Sequence, residues 1–367
     1  MKNTIGNNLT LTLFGESHGE AIGCVLDGMP AGVRVDMDYI NAMMDLRKPK
    51  GTISTSRVEA DEVKIVSGVF EGYTTGTPIC ILIENHNTRS KDYSSLLNTP
   101  RPGHADYTAS LRYNGFQDYR GGGHFSGRLT APIVAAGAIV RKMLEEKDIV
   151  IGSHIASVGN VYDDELVADK TMLDKLNERY FAVVNEDKGA LMQEVIEEAR
   201  KACDSVGGCI ETMVLGFPGG IGEPTFDSLE SKLSHGLFSI PAVKGVSFGD
   251  GFDLTYMKGS EANDAFGYED GKVVTLTNHN GGINGGISNG MPLKMKVAIK
   301  PTPSIAQTQQ SVDLKKGENT ELNITGRHDP CIVHRARVVI DAMVALVLAD
   351  CLVGHSGYAY FGEKVKK

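Results

Sequence analysis

The sequence predicts an α+β fold with antiparallel sheets. Strand-like and helix-like stretches follow one another without the strict βαβα alternation that builds a parallel sheet. A strand–turn–helix G-x-G-x-x-G followed by an acidic residue is missing, which argues against a dinucleotide-binding βαβ unit. Glycine supplies 43 of 367 residues with no collagen-like period. That excess over the roughly 7% of average chains implies many tight turns and backbone-lined sites. No repeat, low-complexity tract or linker divides the chain, so residues 1–367 are expected to form one large domain.

Residues 9–14 (LTLTLF) alternate like a half-buried strand and lead into GESHG. IGCVLDGMPAG follows as a short strand closed by a Gly/Pro turn. Residues 36–47 have helical spacing, with Ile40, Met43 and Met44 on one side, methionines that read as core. Arg47, Lys48, Lys50 and Arg57 then fall in a basic Ser/Thr-rich loop, either solvated or closing over an anion. VKIVSGVFEG and PICILIEN predict two antiparallel strands joined through a Gly-Thr turn.

Residues 101–128, RPGHADYTASLRYNGFQDYRGGGHFSGR, are too polar for a core. They hold four arginines, two histidines and six glycines. Gly121, Gly122 and Gly123 can turn peptide N–H groups inward as an anion cradle, with the forked guanidiniums of Arg120 and Arg128 on either side. His104 sits in the same segment and is a candidate to give or take a proton. An Ala-rich helix follows to about Lys147, with Thr130 as N-cap and Pro132 in its first turn. A solvated glycine-rich surface loop is the competing reading.

Beyond it, IVIGSHIASVGNVY predicts a strand and residues 189–206 a helix. CIETMVLGFPGGIGEP reads as a strand running into a Gly/Pro loop. Asp227 is placed to cap a helix reaching about Ser239, and KGVSFGDGF returns as a strand. Residues 278–290 are almost wholly Gly, Asn and Ser, and PLKMKVAIKPTPSI alternates cleanly. Asp329 and Pro330 read as N-cap and first residue of a last helix ending near Leu352.

A net charge of −9 argues against a nucleic-acid surface, so any arginine cluster is a local feature suited to a small anion. Six cysteines without a C-x-x-C pair suggest reduced, mostly buried thiols. The start has too short an apolar run for a signal peptide, and the most apolar window, 338–353, contains Asp341 and Asp350. A soluble, cytoplasmic protein without a membrane partner is expected.

Gly15-Glu16-Ser17-His18-Gly19 matches a G-x-S-x-G nucleophile elbow literally, but that motif needs a helix after the turn, and IGCVLDG reads as strand. His18 is then a polar residue at a strand end, equally a satisfied structural histidine or a general acid. His18, His104, His124, Asp106 and Asp329 lack any close metal-ligand spacing. An enzyme acting on a phosphorylated small molecule accounts for the arginines, glycine loops and histidines together. A flavin- or phosphate-binding module without turnover is the alternative, and it does not need His18 and His104.

GESHGEAIGCVLDGMP, RPGHADY, DYRGGGHFSGR, VKGVSFGDGF, NGGINGGISNG, IKPTPSI and GRHDPCIVHRA together resemble the chorismate synthase family, in that family's order and over nearly the whole chain. The resemblance implies an α+β sandwich of antiparallel sheets and helices, assembled as a homotetramer. It implies 1,4-anti elimination of phosphate from 5-enolpyruvylshikimate 3-phosphate, with reduced FMN and no net redox change. NADPH or an external flavin reductase would reduce the flavin. By motif, His18 resembles the histidine that protonates the departing phosphate, and His104 the histidine that sets flavin protonation. Asp329 resembles the carboxylate near flavin N5, where the substrate proton is received. Arg47, Arg128 and Arg327 resemble arginines facing substrate or flavin, with Arg57 as a further candidate. The same resemblance lines the FMN site with His124, Phe125, Ser126, Pro241, Ala242, Gly285, Lys300, Pro301, Thr302, Pro303, Ser304 and Arg327. Basic loops such as 47–57 and 86–101 would exclude water. Two departures stand out. His124-Phe125-Ser126 replaces the Arg-Ser-Ser of many relatives, and KGTISTSR lacks a second arginine soon after Arg47.

Overall fold

Alternation sets the sheets. In Ile79–Glu84 every second residue is an isoleucine with 0% exposure, and in Leu293–Ile299 Leu293, Met295, Val297 and Ile299 are buried in the same rhythm. The computed structural model describes residues 3–55, 60–86, 97–324 and 329–361, with side chains through 356. One five-stranded sheet contains β1 (Thr4–Ile5), β2 (Thr10–Gly15), β3 (Ala21–Asp27), β4 (Lys64–Ser67) and β7 (Ile79–Glu84). Its order is β1-β2-β3-β7-β4 and every pairing is antiparallel. The small hairpin β5 (Val69–Phe70) and β6 (Tyr73–Thr74) is inserted between β4 and β7. The second sheet contains β8 (Val150–Val158), β9 (Val161–Tyr162), β10 (Gly208–Leu215), β11 (Val243–Phe248) and β16 (Leu293–Ile299). It runs β11-β16-β10-β8-β9, again antiparallel throughout.

Helices fill the space between the sheets. α3 (Thr130–Glu145) lies against β3 and β7, and α8 (Val333–Phe361) lies against β8 and β10. These two helices touch closely. A Cβ added at Gly137 would sit 2.4 Å from that of Ala342, so only glycine permits this approach. α1 (Met37–Arg47) packs on both, burying Ile40, Met43 and Met44 as its spacing predicts. At roughly 1.5–3 kcal/mol per fully buried aliphatic side chain, this shared core is the main source of stability. α4 (Lys170–Glu178) and α5 (Glu186–Lys201) pack on β8, and α6 (Leu229–Phe238) packs on α8 and β11. α7 (Gly259–Ala262) and the hairpins β12–β13 (Phe266–Glu269, Lys272–Thr275), β14–β15 (Ile283–Asn284, Ile287–Ser288) and β17–β18 (Gln309–Asp313, Glu318–Leu322) complete the described chain.

The expected α+β sandwich is present, with local corrections. Ser126 caps the turn Gly127–Leu129 ahead of α3 by accepting from Arg128 N, while Thr130 donates to Gly127 O inside it. Ser228, not Asp227, caps α6. α5 starts earlier than expected because Asn185 accepts from the N–H groups of Asp187 and Lys188. Asp329 is no helix cap: α8 begins four residues later and runs to Phe361. Its acids have structural partners. Asp350 Oδ1 accepts the backbone N–H groups of Asn7, Asn8 and Leu9, and buried Asp341 faces Arg337 and Arg141. All six cysteines are free, and no described helix is long and apolar enough to cross a membrane.

Candidate active site

The glycine-rich turn after α2 (Asp106–Arg112) organises the site. Gly121, Gly122 and Gly123 all have left-handed backbones, at φ 60°, 87° and 53°. Their bare Cα atoms admit two histidines. A Cβ at Gly121 would lie 2.1 Å from Nδ1 of His18, and one at Gly122 would lie 3.3 Å from Nε2 of His104. His18, in the turn after β2, is 6% exposed and sits 3.1 Å from Ser17 Oγ through Nδ1; Ser17 N in turn donates to Gly123 O.

His104 is held by its other nitrogen. Nδ1 lies 2.7 Å from Asp106 Oδ1, which fixes the proton there and directs Nε2 toward the glycines. Arg101 grips the same carboxylate through Nε (2.7 Å) and Nη2 (2.8 Å), and donates to Ser304 Oγ at 3.2 Å. Burial alone would raise the Asp106 carboxyl. Hydrogen bonds from Arg101 and His104, and their charges, outweigh it and hold the group well below the usual carboxylate range.

Two cavities meet beside this turn. The larger, about 680 Å³, is lined by His104, His124, Phe125, Pro241, Ala242, Lys300, Thr302, Pro303 and Asp329, with Leu13, Ile133 and Met343 as apolar wall. The smaller, about 270 Å³, is lined by Ser17, Arg47, Asp61, Ser126, Arg128, Asp329 and Arg335. Gly127, Thr130, Pro241, Asp329 and Arg335 belong to both, which makes the two spaces neighbours.

Charge in the smaller cavity is arranged as bridges. Asp61, with a side chain 1% exposed, receives Arg128 Nη1 on one oxygen and Arg47 Nη2 on the other, each at 2.6 Å. Asp329 receives Thr55 N on Oδ1 and Arg335 Nη2 on Oδ2, both at 2.8 Å. Among the described residues the buried Nε–H groups of Arg47 and Arg335 have no hydrogen-bond partner. Burial pulls the Arg47 guanidinium below its ordinary value; Asp61 opposes this and the nearby Arg335 adds to it. Two guanidiniums that repel across one cavity, each with an unused donor, are suited to an anion.

Not every expected residue arrives. Arg120 spends its fork on Asp118 in its own loop (2.8 Å for both contacts) and is not among the described lining residues. His18, Pro301, Ser304 and Gly285 do not line either cavity. Ser304 instead braces Arg101, and Gly285 sits in the turn of the β14–β15 hairpin. His124 donates through Nδ1 to Gly15 O, 2.9 Å away, and Lys300 donates to Gly103 O. Arg57 and Arg327 lie outside the described residues, as do residues 56–59 and 87–96 of the two basic loops.

The residues that sequence reasoning missed are Asp61, Arg335 and a buried chain behind the site, while Asp106, weighed there only as a metal ligand, instead orients His104. His334 Nε2 lies 2.8 Å from Ser54 Oγ, Ser54 lies 3.0 Å from Tyr180 OH, and that hydroxyl accepts from Lys50 N at 2.8 Å. The chain ties the loop after α1 to α8. Burial, and then the charge of Arg335, push the His334 imidazole down to about 3.

Helices enclosed between two antiparallel sheets, with histidines and guanidiniums converging on paired cavities, define an enzyme that works on a small molecule. The chorismate synthase family model matches residues 9–353. The chain is 47% identical over 353 residues to the chorismate synthase of Thermococcus gammatolerans, covering 95% of this chain and 97% of that protein. It is 45% identical over 362 residues to that of Methanobrevibacter smithii, covering 98% of each. A crystal structure of a chorismate synthase superposes with a TM-score of 0.75 at 29% identity, covering 96% of this chain and 94% of that one. The chain belongs to the chorismate synthase family and is a carbon–oxygen lyase.

Proposed function

We propose that this enzyme makes chorismate by 1,4-anti elimination of phosphate from 5-enolpyruvylshikimate 3-phosphate, with reduced FMN as cofactor. The observation that carries this reading is the convergence of His18 and His104 on adjacent glycines, beside a cavity whose Arg47 and Arg335 each keep an unused N–H.

The larger cavity fits a flavin. Its volume of about 680 Å³ lies within the usual range for a ligand pocket, Leu13, Ile133 and Met343 give a flat ring an apolar wall, and Lys300 offers donors to a phosphate. When bound, reduced FMN supplies electron density to the elimination without being consumed. His124, Phe125, Pro241, Ala242, Lys300, Thr302 and Pro303 would hold it, with Ser126, Gly285, Pro301, Ser304 and Arg327 as further contacts from the family resemblance.

In the smaller cavity Arg47, Arg128 and Arg335 bind the phosphate and carboxylate charges, with Arg57 and Arg327 as further candidates. His18 donates a proton to the departing phosphate, so its C–O bond breaks without leaving an uncompensated dianion. Asp329 takes up the proton that the substrate loses. His104, its Nδ1 proton fixed by Asp106, presents Nε2 beside the cofactor cavity as a proton acceptor. One C–H and one C–O bond break, and one double bond is gained.

Residues 1–367 form one catalytic unit in this reading, a cytoplasmic homotetramer. Exposed Phe252, Tyr256, Phe266 and Tyr268 supply apolar surface for its contacts. NADPH oxidation by the purified protein with FMN distinguishes self-reduction of the flavin from reliance on an external reductase. Anaerobic phosphate release from 5-enolpyruvylshikimate 3-phosphate with reduced FMN tests the function itself. Turnover that needs the reduced cofactor is expected; release that ignores it contradicts the assignment.

A further inference from the structure

The carboxylate of Asp61 stands where two of the site's cations meet. Its two oxygens each take one guanidinium at 2.6 Å, Arg128 from the turn before α3 and Arg47 from the end of α1. A tetrahedral oxyanion bridging the same two forks would make contacts of the same kind. The side chain is nearly inaccessible, yet it lines the smaller cavity. Its backbone is left-handed, at φ 47°, a conformation that aspartate and asparagine tolerate better than most residues.

Among the described residues lining that cavity, three arginines (47, 128, 335) face two aspartates (61, 329). These described residues together carry one surplus positive charge. Without Asp61 they would carry two, enough to neutralise a phosphate dianion completely. We propose that Asp61 is a positioning residue. It holds Arg47 and Arg128 in register for the phosphate, and as an internal competitor it keeps their affinity for that anion low enough for release. This rests on the reading of the smaller cavity as the phosphate seat.

Inhibition of anaerobic turnover by inorganic phosphate separates this role from a merely structural ion pair. Asn keeps the shape and tolerates the backbone, so Asp61→Asn changes mainly the charge. Its inhibition constant for phosphate is expected to fall about tenfold, with kcat reduced and KM lowered or unchanged. Asp61→Glu, which keeps the charge, is expected to stay within about threefold of the wild type in phosphate inhibition. Unchanged or weaker phosphate inhibition in Asp61→Asn overturns the proposal.

Removing one partner of a buried ion pair can prevent folding. In that event, thermal unfolding of Asp61→Ser with and without phosphate gives the answer, because serine leaves room for the anion to bridge the guanidiniums itself. A larger rise in Tm than in the wild type supports the proposal. An equal or smaller rise, or failure to fold even with phosphate present, overturns it. Phosphate that neither inhibits nor stabilises the wild type overturns the seat and this proposal together. Phosphate that acts on the wild type but gains nothing in the variants overturns the proposal alone.

Discussion

Gly121 and His18 are in contact so close that no other residue fits at 121: a Cβ there would fall 2.1 Å from the imidazole Nδ1. The glycine run therefore makes room for histidines as well as turning the chain. Gly121→Ala is expected to displace His18 and cut turnover at least a hundredfold, with a loss of about 1–3 kcal/mol in stability. Gly122→Ala, where the nearest His104 atoms are 3.3 Å away, is expected to be milder in turnover. Steady-state rates and urea unfolding of both variants check the order.

The His104–Asp106 pair gives a second expectation. Asp106→Asn replaces the carboxylate that fixes the histidine's proton on Nδ1 with a neutral amide, and turnover is expected to fall about 10–100-fold. Because the Asp106 carboxyl is held below its unfolded value, the folded chain resists protonation there. That contribution to stability is complete above about pH 4 and is lost as the pH falls further. Acid unfolding of Asp106→Asn is expected to lack this part of the pH dependence.

His334 acts higher on the pH scale. Burial holds its folded value at about 3, whereas an unfolded histidine titrates near 6.5. The stability gained from keeping it neutral is present above about pH 6.5 and is lost as the pH falls toward 3, by up to about 1.4 kcal/mol per pH unit. His334→Gln is expected to flatten the stability–pH curve in that window. Urea titrations between pH 4 and 7, compared with the wild type, measure the slope.

Arg335 bonds Asp329 and leaves its Nε–H unsatisfied at the meeting of the two cavities. Arg335→Met is expected to raise KM at least tenfold, and Arg335→Lys to recover little, since a single ammonium cannot keep Asp329 and reach a second anion with one plane of donors. Substrate titrations of both variants decide it.

Much of this arrangement was legible in the sequence. Period-two runs such as ICILIE and LKMKVAI marked the sheet strands, and helical spacing marked α1 and its buried methionines. The polar, glycine-laden character of residues 101–128 marked the site. Tertiary partners could not be read there. Arg120 looked as available as Arg128, but a carboxylate two residues away claims it. Asp329 looked like a helix cap because Asp-Pro is a common start, yet Thr55 and Arg335 take its oxygens. Asp61 sits in an ordinary acidic stretch, and only folding brings it between arginines from two distant elements. The short hairpins and α4 lack long periodic runs, so local pattern left them unassigned.

The most direct test is the anaerobic release of phosphate from 5-enolpyruvylshikimate 3-phosphate with reduced FMN, for the wild type, His18→Ala and His104→Ala. Loss of at least a hundredfold in turnover by each variant, with FMN still bound, is the expected result. Full rates in both would contradict the assignment of proton chemistry to the two histidines seated on the glycine turn.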